Sequence, residues 1–172
     1  SAALFMLPFA LVRLGEIHGQ HYLKLFASGL LGVFIPGFLF AFATMRIDSS
    51  VVGIINTLTP LCTMIAGAVL FRQRFMNNAI AGVLLGLAGT VILILSRAEG
   101  AITINASAFL IVVACFAYGI NLNLIKSKIT ELPALTITSV SLLLIAPLAI
   151  IYLFAISDFT TRFAANDNAW TA

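Results

Sequence analysis

A chain of 172 residues that is 62% hydrophobic and 9% charged, with mean hydropathy +1.14, is far more apolar than a soluble domain, where about half the residues are apolar and about a quarter charged. The composition excludes an ordinary soluble fold and gives an integral membrane protein. The net charge of +3 invites a nucleic-acid partner, but the charges fall in short connections between apolar stretches, so they encode membrane orientation instead.

Six uncharged stretches follow one another, at 1–12, 25–45, 49–71, 79–96, 106–125 and 134–156. A helix needs roughly 20 residues to cross about 30 Å of hydrocarbon, so the last five are long enough to span and the first is short. Residue 1 is a serine within an already apolar run, with no basic flank of a signal peptide, and the first stretch therefore reads as a truncated span. The final segment DFTTRFAANDNAWTA closes on Trp170, as the interfacial start of another span would. The expectation is an all-α polytopic membrane bundle of about six transmembrane helices, forming an interior piece of a longer protein.

Each span reads on a wheel at 100° per residue. In 25–45, Gly29, Gly32, Pro36 and Ala43 share an arc. In 49–71 the shared face is Gly53, Asn56, Thr57, Pro60, Thr63 and Gly67; in 79–96 it is Ala79, Gly82, Gly86 and Gly89, whose small-xxx-small spacing lets another backbone approach. In 106–125, Ser107, Ala114, Ala117, Tyr118 and Asn121 fall together. Gly82, Gly86 and Gly89 are expected to pack against a helix. An amide left unpaired in hydrocarbon costs on the order of 2–7 kcal/mol, so Asn56, Tyr118 and Asn121, with Thr63, are candidates to line a substrate cavity. Helix–helix packing is the alternative for these positions. Pro36, Pro60 and Pro147 lie near span centres, where proline removes a backbone hydrogen bond and bends the helix. Pro60 should free the Asn56 carbonyl, four residues earlier, for a ligand or water.

Cys62 and Cys115 sit in different spans with no metal spacing around them and read as small apolar packing residues. The sequon at Asn105 reads as a helix start, with Asn105 or Ser107 as cap; Asp48-Ser49 and Asn77-Asn78 look similar. The His18 and His21 pair falls in a loop and reads as a solvated turn. If the stretches cross alternately, Arg13, Lys24, Arg72, Arg74, Lys126 and Lys128 share one side against Arg46, Arg97 and Arg162 on the other. That bias makes the first side cytoplasmic.

Residues 43–94 combine Pro60, the turn Arg72-Gln73-Arg74 and the glycine-rich GLAGTVILI at 86–94 in one continuous pattern. This pattern resembles the EamA-type family of the drug/metabolite transporter superfamily, in which a helix with a central proline is followed by a "gER"-like turn and a glycine-rich helix. Gln73 departs from the family's usual Glu. The resemblance implies two inverted five-helix repeats: residues 1–96 would be the latter four helices of the first, and residues 97–172, with VACFAYGINLNLIKSKI, the first two of the second. It also implies a secondary transporter, a permease or exporter of small organic metabolites such as amino acids or drugs, multi-pass in a cell membrane and, on this resemblance, a bacterial inner membrane. The expected partners are the small-molecule substrate and the lipid bilayer, with no nucleic acid; homodimer formation is left open. The alternatives are an intramembrane enzyme or a non-transporting scaffold. No span holds paired carboxylates, a nucleophile motif or metal-spaced ligands, so no catalytic residue, metal or cofactor is expected. A neutral or zwitterionic substrate follows from the absence of charge within the spans.

Overall fold

The computed structural model describes residues 19–96 and 106–155, together with Met6, Pro8 and Arg13. Apart from Met6 and Pro8, the first stretch lies outside the described residues, as do Asn105 and the Trp170 segment. Helix α1 (Gly19–Gly29) runs through a π-helical segment (Leu30–Phe34) into α2 (Ile35–Thr44). Next come α3 (Ser49–Asn56) and α4 (Thr59–Leu70), then α5 (Asn77–Ser96), α6 (Ala106–Lys128) and α7 (Ala134–Ala155). Among the described residues the secondary structure is helical throughout, as lipid demands, since only a helix satisfies its own backbone along a single span.

Among the described residues four rods are long and apolar enough to cross a membrane: His21–Thr44, Ser49–Leu70, Ser107–Lys128 and Ala134–Phe154. The 20 residues of α5 reach about 30 Å, giving five rods for the five long apolar stretches.

Helix α6 is the hub. It packs against α4, α2 and α3, and reaches the π segment and α1, while α7 lies on α1. Two buried clusters fix these contacts. Ala43, Val52, Cys62, Ile111 and Cys115 join the first two rods to α6, and Leu25, Ile129, Ile137 and Val140 join α1, the end of α6 and α7. Cysteines in different spans thus share one apolar cluster, both as free thiols.

Because lipid tails are as apolar as leucine, helix association rests on close packing, and small residues set the approach. Four glycines do this here, one of them Gly32 of the π segment, where a Cβ would overlap the Asn121 side-chain amide. A Cβ on Gly119 of α6 would lie 2.9 Å from Thr63 N and Cα, one on Gly67 2.8 Å from Asn123 Oδ1, and one on Gly29 2.7 Å from the Ser141 carbonyl oxygen. By contrast, a Cβ on Gly82, Gly86 or Gly89 would meet open space. The close approaches lie on α1, the π segment, α4 and α6 instead.

The contacts also orient the rods. Along α3, α4 and α6, Ile55 meets Cys115, Thr63 meets Gly119 and Asn123, and Gly67 meets Asn123, so these rods run parallel. Gly29 meets Ser141 and Phe38 meets Tyr152, so the first rod and α7 run parallel too. Lys24 donates to the Lys128 carbonyl at 3.4 Å, which sets the two pairs antiparallel. Lys24, Arg72, Arg74, Lys126 and Lys128 consequently gather at one end of the bundle and Arg46 at the other, as alternate crossing requires.

Candidate functional site

The second rod is broken where its sequence turns polar. Pro60 stands in the first turn of α4 and has no N–H to offer the Asn56 carbonyl, so the helix ends at Asn56 and restarts at Thr59 through a turn at Thr57 and Leu58. In lipid no water replaces the missing donors. The threonines do so: Thr57 Oγ1 donates to the Ile54 carbonyl at 2.6 Å, and Thr59 Oγ1 donates to the Asn56 carbonyl at 2.7 Å and to its Oδ1 at 3.1 Å. Backbone N–H groups of Thr57 and Leu58 close tight turns onto Ile54 and Ile55, and the Cys115 thiol lies 3.8 Å from both the Ile55 carbonyl and Asn56 Oδ1. The Asn56 carbonyl is therefore occupied by Thr59, a partner that the expectation of a ligand or water overlooked.

The candidate residues fall on two neighbouring sides of α6. Asn56 and Thr63 lie on the side of Cys115 and Gly119, where Asn56 is exposed and Thr63 Oγ1 donates to the Thr59 carbonyl at 2.8 Å. Tyr118 and Asn121 face the first rod. The Tyr118 ring stands 6.2 Å from that of Phe40, and the Asn121 amide lies where a Cβ on Gly32 would fall. An open groove of about 480 Å³ borders Thr57 and Pro60 and is walled on its other side by Ala79, Gly82, Val83, Gly86 and Leu87 of α5. The glycine face of α5 thus lines a groove.

Asn123 escaped the sequence reading. It is buried, and its Nδ2 donates to the Thr63 and Gly119 carbonyls, each at 2.8 Å. One amide thereby ties α4 to α6 at their closest approach. The wheel arc chosen for α6 contained Asn121, and Asn123 lies about 200° away from it. The signal available was chemical: any amide inside a span needs partners.

The three prolines differ in effect. Pro36 is buried just after the π segment, Pro60 opens the second rod, and Pro147 lies within α7, which continues through it. At the helix starts, Asp48 occupies the cap position of α3 without a side-chain cap bond, α5 begins at Asn77, and Ser107 is buried within the first turn of α6. Beyond α4, Arg72 adopts φ 51° and the Gln73 N–H returns to the Gly67 carbonyl at 2.9 Å, so the turn between α4 and α5 closes the helix with backbone bonds. Among the described residues no group of three His, Cys, Asp or Glu side chains is placed to hold a metal ion.

No curated protein and no solved structure gives a match to the chain. The sequence profile of the EamA-like transporter family matches residues 1–95. That is more than half of the chain, and it contains the broken rod, the closing turn and the glycine-rich helix described above. The protein belongs to the EamA-like transporter family of the drug/metabolite transporter superfamily and is a multi-pass membrane transporter of that type.

Proposed function

We propose that the chain is six helices of a ten-helix carrier that moves a small neutral or zwitterionic organic solute by alternating access, in a bacterial inner membrane. Rocking carriers place their sites near the bilayer midplane, at helices interrupted there. The observation that carries this reading is the interrupted second rod beside α6. Its polar groups are amides and hydroxyls, and among the described residues the charged side chains lie at or beyond the rod ends. Such a surface offers hydrogen bonds and aromatic faces without fixed charge, which favours a substrate with no net charge. Asn56, Thr63, Tyr118 and Asn121 are the proposed lining.

The experiment is transport in proteoliposomes by the uninterrupted reading frame that contains this chain, with labelled neutral and zwitterionic solutes. The parent should show saturable transport, and Asn56→Leu and Asn121→Leu should abolish or redirect it while the protein inserts normally, since leucine is well accepted in lipid. The 172-residue chain alone should not transport. Normal transport by both variants would remove these residues from the site, and saturable uptake by the short chain would remove the ten-helix parent.

A further inference from the structure

The basic residues at the α4–α5 end of the bundle fall into two sets. Lys24 reaches the Lys128 carbonyl at 3.4 Å, so that pair serves the seam between α1 and α6. Arg72, Arg74 and Lys126 differ: each is exposed, and among the described residues none has a hydrogen-bond or ion-pair partner for its side chain. Nor does either helix need them as caps. The Gln73 N–H closes α4 onto the Gly67 carbonyl at 2.9 Å, and the Ile129 N–H continues α6 onto the Ile125 carbonyl at 3.1 Å.

The fold brings these three cations to one place. Asn123 Nδ2 donates to the Thr63 carbonyl, and a Cβ on Gly67 would touch Asn123 Oδ1, so this face of α6 meets the last turns of α4. Lys126 stands about 60° round α6 from Asn123 and about 4.5 Å further along, level with the end of α4, where Arg72 and Arg74 flank Gln73. The same Cβ on Gly67 would lie 2.8 Å from the Phe75 ring, so the turn folds back onto the α4–α6 seam. Around these cations the exposed side chains are apolar: Val69, Leu70 and Met76 about the turn, and Leu122 one turn before Lys126 on the same face.

We infer that Arg72, Arg74 and Lys126 bind the phosphate of an anionic phospholipid, whose acyl chains lie along the exposed apolar side chains beneath them. Charge complementarity carries this: three cations without a counter-charge call for an anion, and guanidinium groups hold a phosphodiester by charge-assisted hydrogen bonds. Their place at the end of membrane-spanning rods selects an anion that carries hydrocarbon. Basic pockets between transmembrane helices recruit anionic headgroups in this way. A zwitterionic headgroup brings its own ammonium group, which opposes the attraction, so the site discriminates between lipids. A basic end that serves only to orient the chain needs no such convergence of free side chains and distinguishes no lipid from another.

The test places the 172-residue chain in phosphatidylcholine bilayers with a trace of spin-labelled phosphatidylglycerol or spin-labelled phosphatidylcholine, and the motionally restricted fraction gives the relative affinity of the two lipids. Phosphatidylglycerol should be favoured several-fold at low salt, and the preference should fall as salt rises. Arg74→Gln and Lys126→Gln should each lower it by up to roughly fivefold, the share of one basic residue at an anionic surface. Gln73→Glu, which sets a carboxylate between the two arginines, should lower it at least as far. Arg46→Gln, at the opposite end of the bundle, should leave it unchanged. All four side chains lie outside the packed clusters, so the variants should keep the fold, which circular dichroism checks. A preference that survives in the double variant Arg74→Gln/Lys126→Gln would overturn the site. An equal loss in Arg46→Gln would overturn it too, since the charge would then act diffusely. Inorganic phosphate should displace the lipid no better than chloride at the same ionic strength; specific displacement would make a soluble anion the ligand and overturn the lipid assignment. The readout does not depend on transport, so the result stands apart from the proposed substrate site.

Discussion

At the scale of single residues, glycine position decides which substitutions the bundle tolerates. Gly119 and Gly82 are both helical glycines in spans, yet one touches the backbone of Thr63 and Cys62 and the other faces a groove. Gly119→Ala should therefore lower stability by about 1–3 kcal/mol, because backbone atoms at 2.9 Å cannot swing aside. Gly82→Ala should be neutral or stabilising by up to about 1 kcal/mol, since it meets no neighbour and improves helix propensity. Reversible unfolding in mixed detergent micelles gives both numbers, and equal effects would refute the assignment of close packing to α6. Asn123 is the matching polar case. Asn123→Leu removes the donor from two carbonyls at once and should cost about 1–3 kcal/mol in the same assay.

At the scale of elements, the break in the second rod is a local exchange of donors, and a double-mutant cycle isolates it. Thr59→Val alone should destabilise by about 1–3 kcal/mol, because the Asn56 carbonyl then has no donor. In a Pro60→Ala background the new N–H at position 60 can reach that carbonyl, four residues back, so the penalty should shrink by about 1 kcal/mol or more. Additive effects would show that the Thr59 hydroxyl does not replace the missing N–H. The lost donor was legible in the sequence, because proline marks it; its replacement by the Thr59 hydroxyl was not, since the freed carbonyl was expected to meet a ligand or water. The π segment was not legible: LLGVF carries no distinctive residue besides Gly32. Rod boundaries were equally plain from the apolar runs. Which rod touches which was not, since a wheel shows the face a helix turns inward but not the neighbour it meets. Hence Cys62 and Cys115 looked unrelated until α4 and α6 were seen in parallel contact.

At the scale of the whole molecule, the orientation of the rods converts a charge count into a topology. The helix contacts place Lys24, Arg72, Arg74, Lys126 and Lys128 at one end and Arg46 and Asp48 at the other. Positively charged connections are retained on the cytoplasmic side during insertion, so the end carrying the α4–α5 turn should face the cytoplasm. Single cysteines at Gln73 and Asp48, in a background with Cys62 and Cys115 changed to alanine, put this to a direct test. Both native thiols are buried, so their replacement removes residual labelling while Ala keeps the cluster apolar. In intact cells a membrane-impermeant maleimide should label the cysteine at position 48 and spare the one at position 73 until the membrane is permeabilised. Labelling of position 73 from outside, with position 48 protected, would invert the topology, and labelling of both in intact cells would mean that the second rod does not cross.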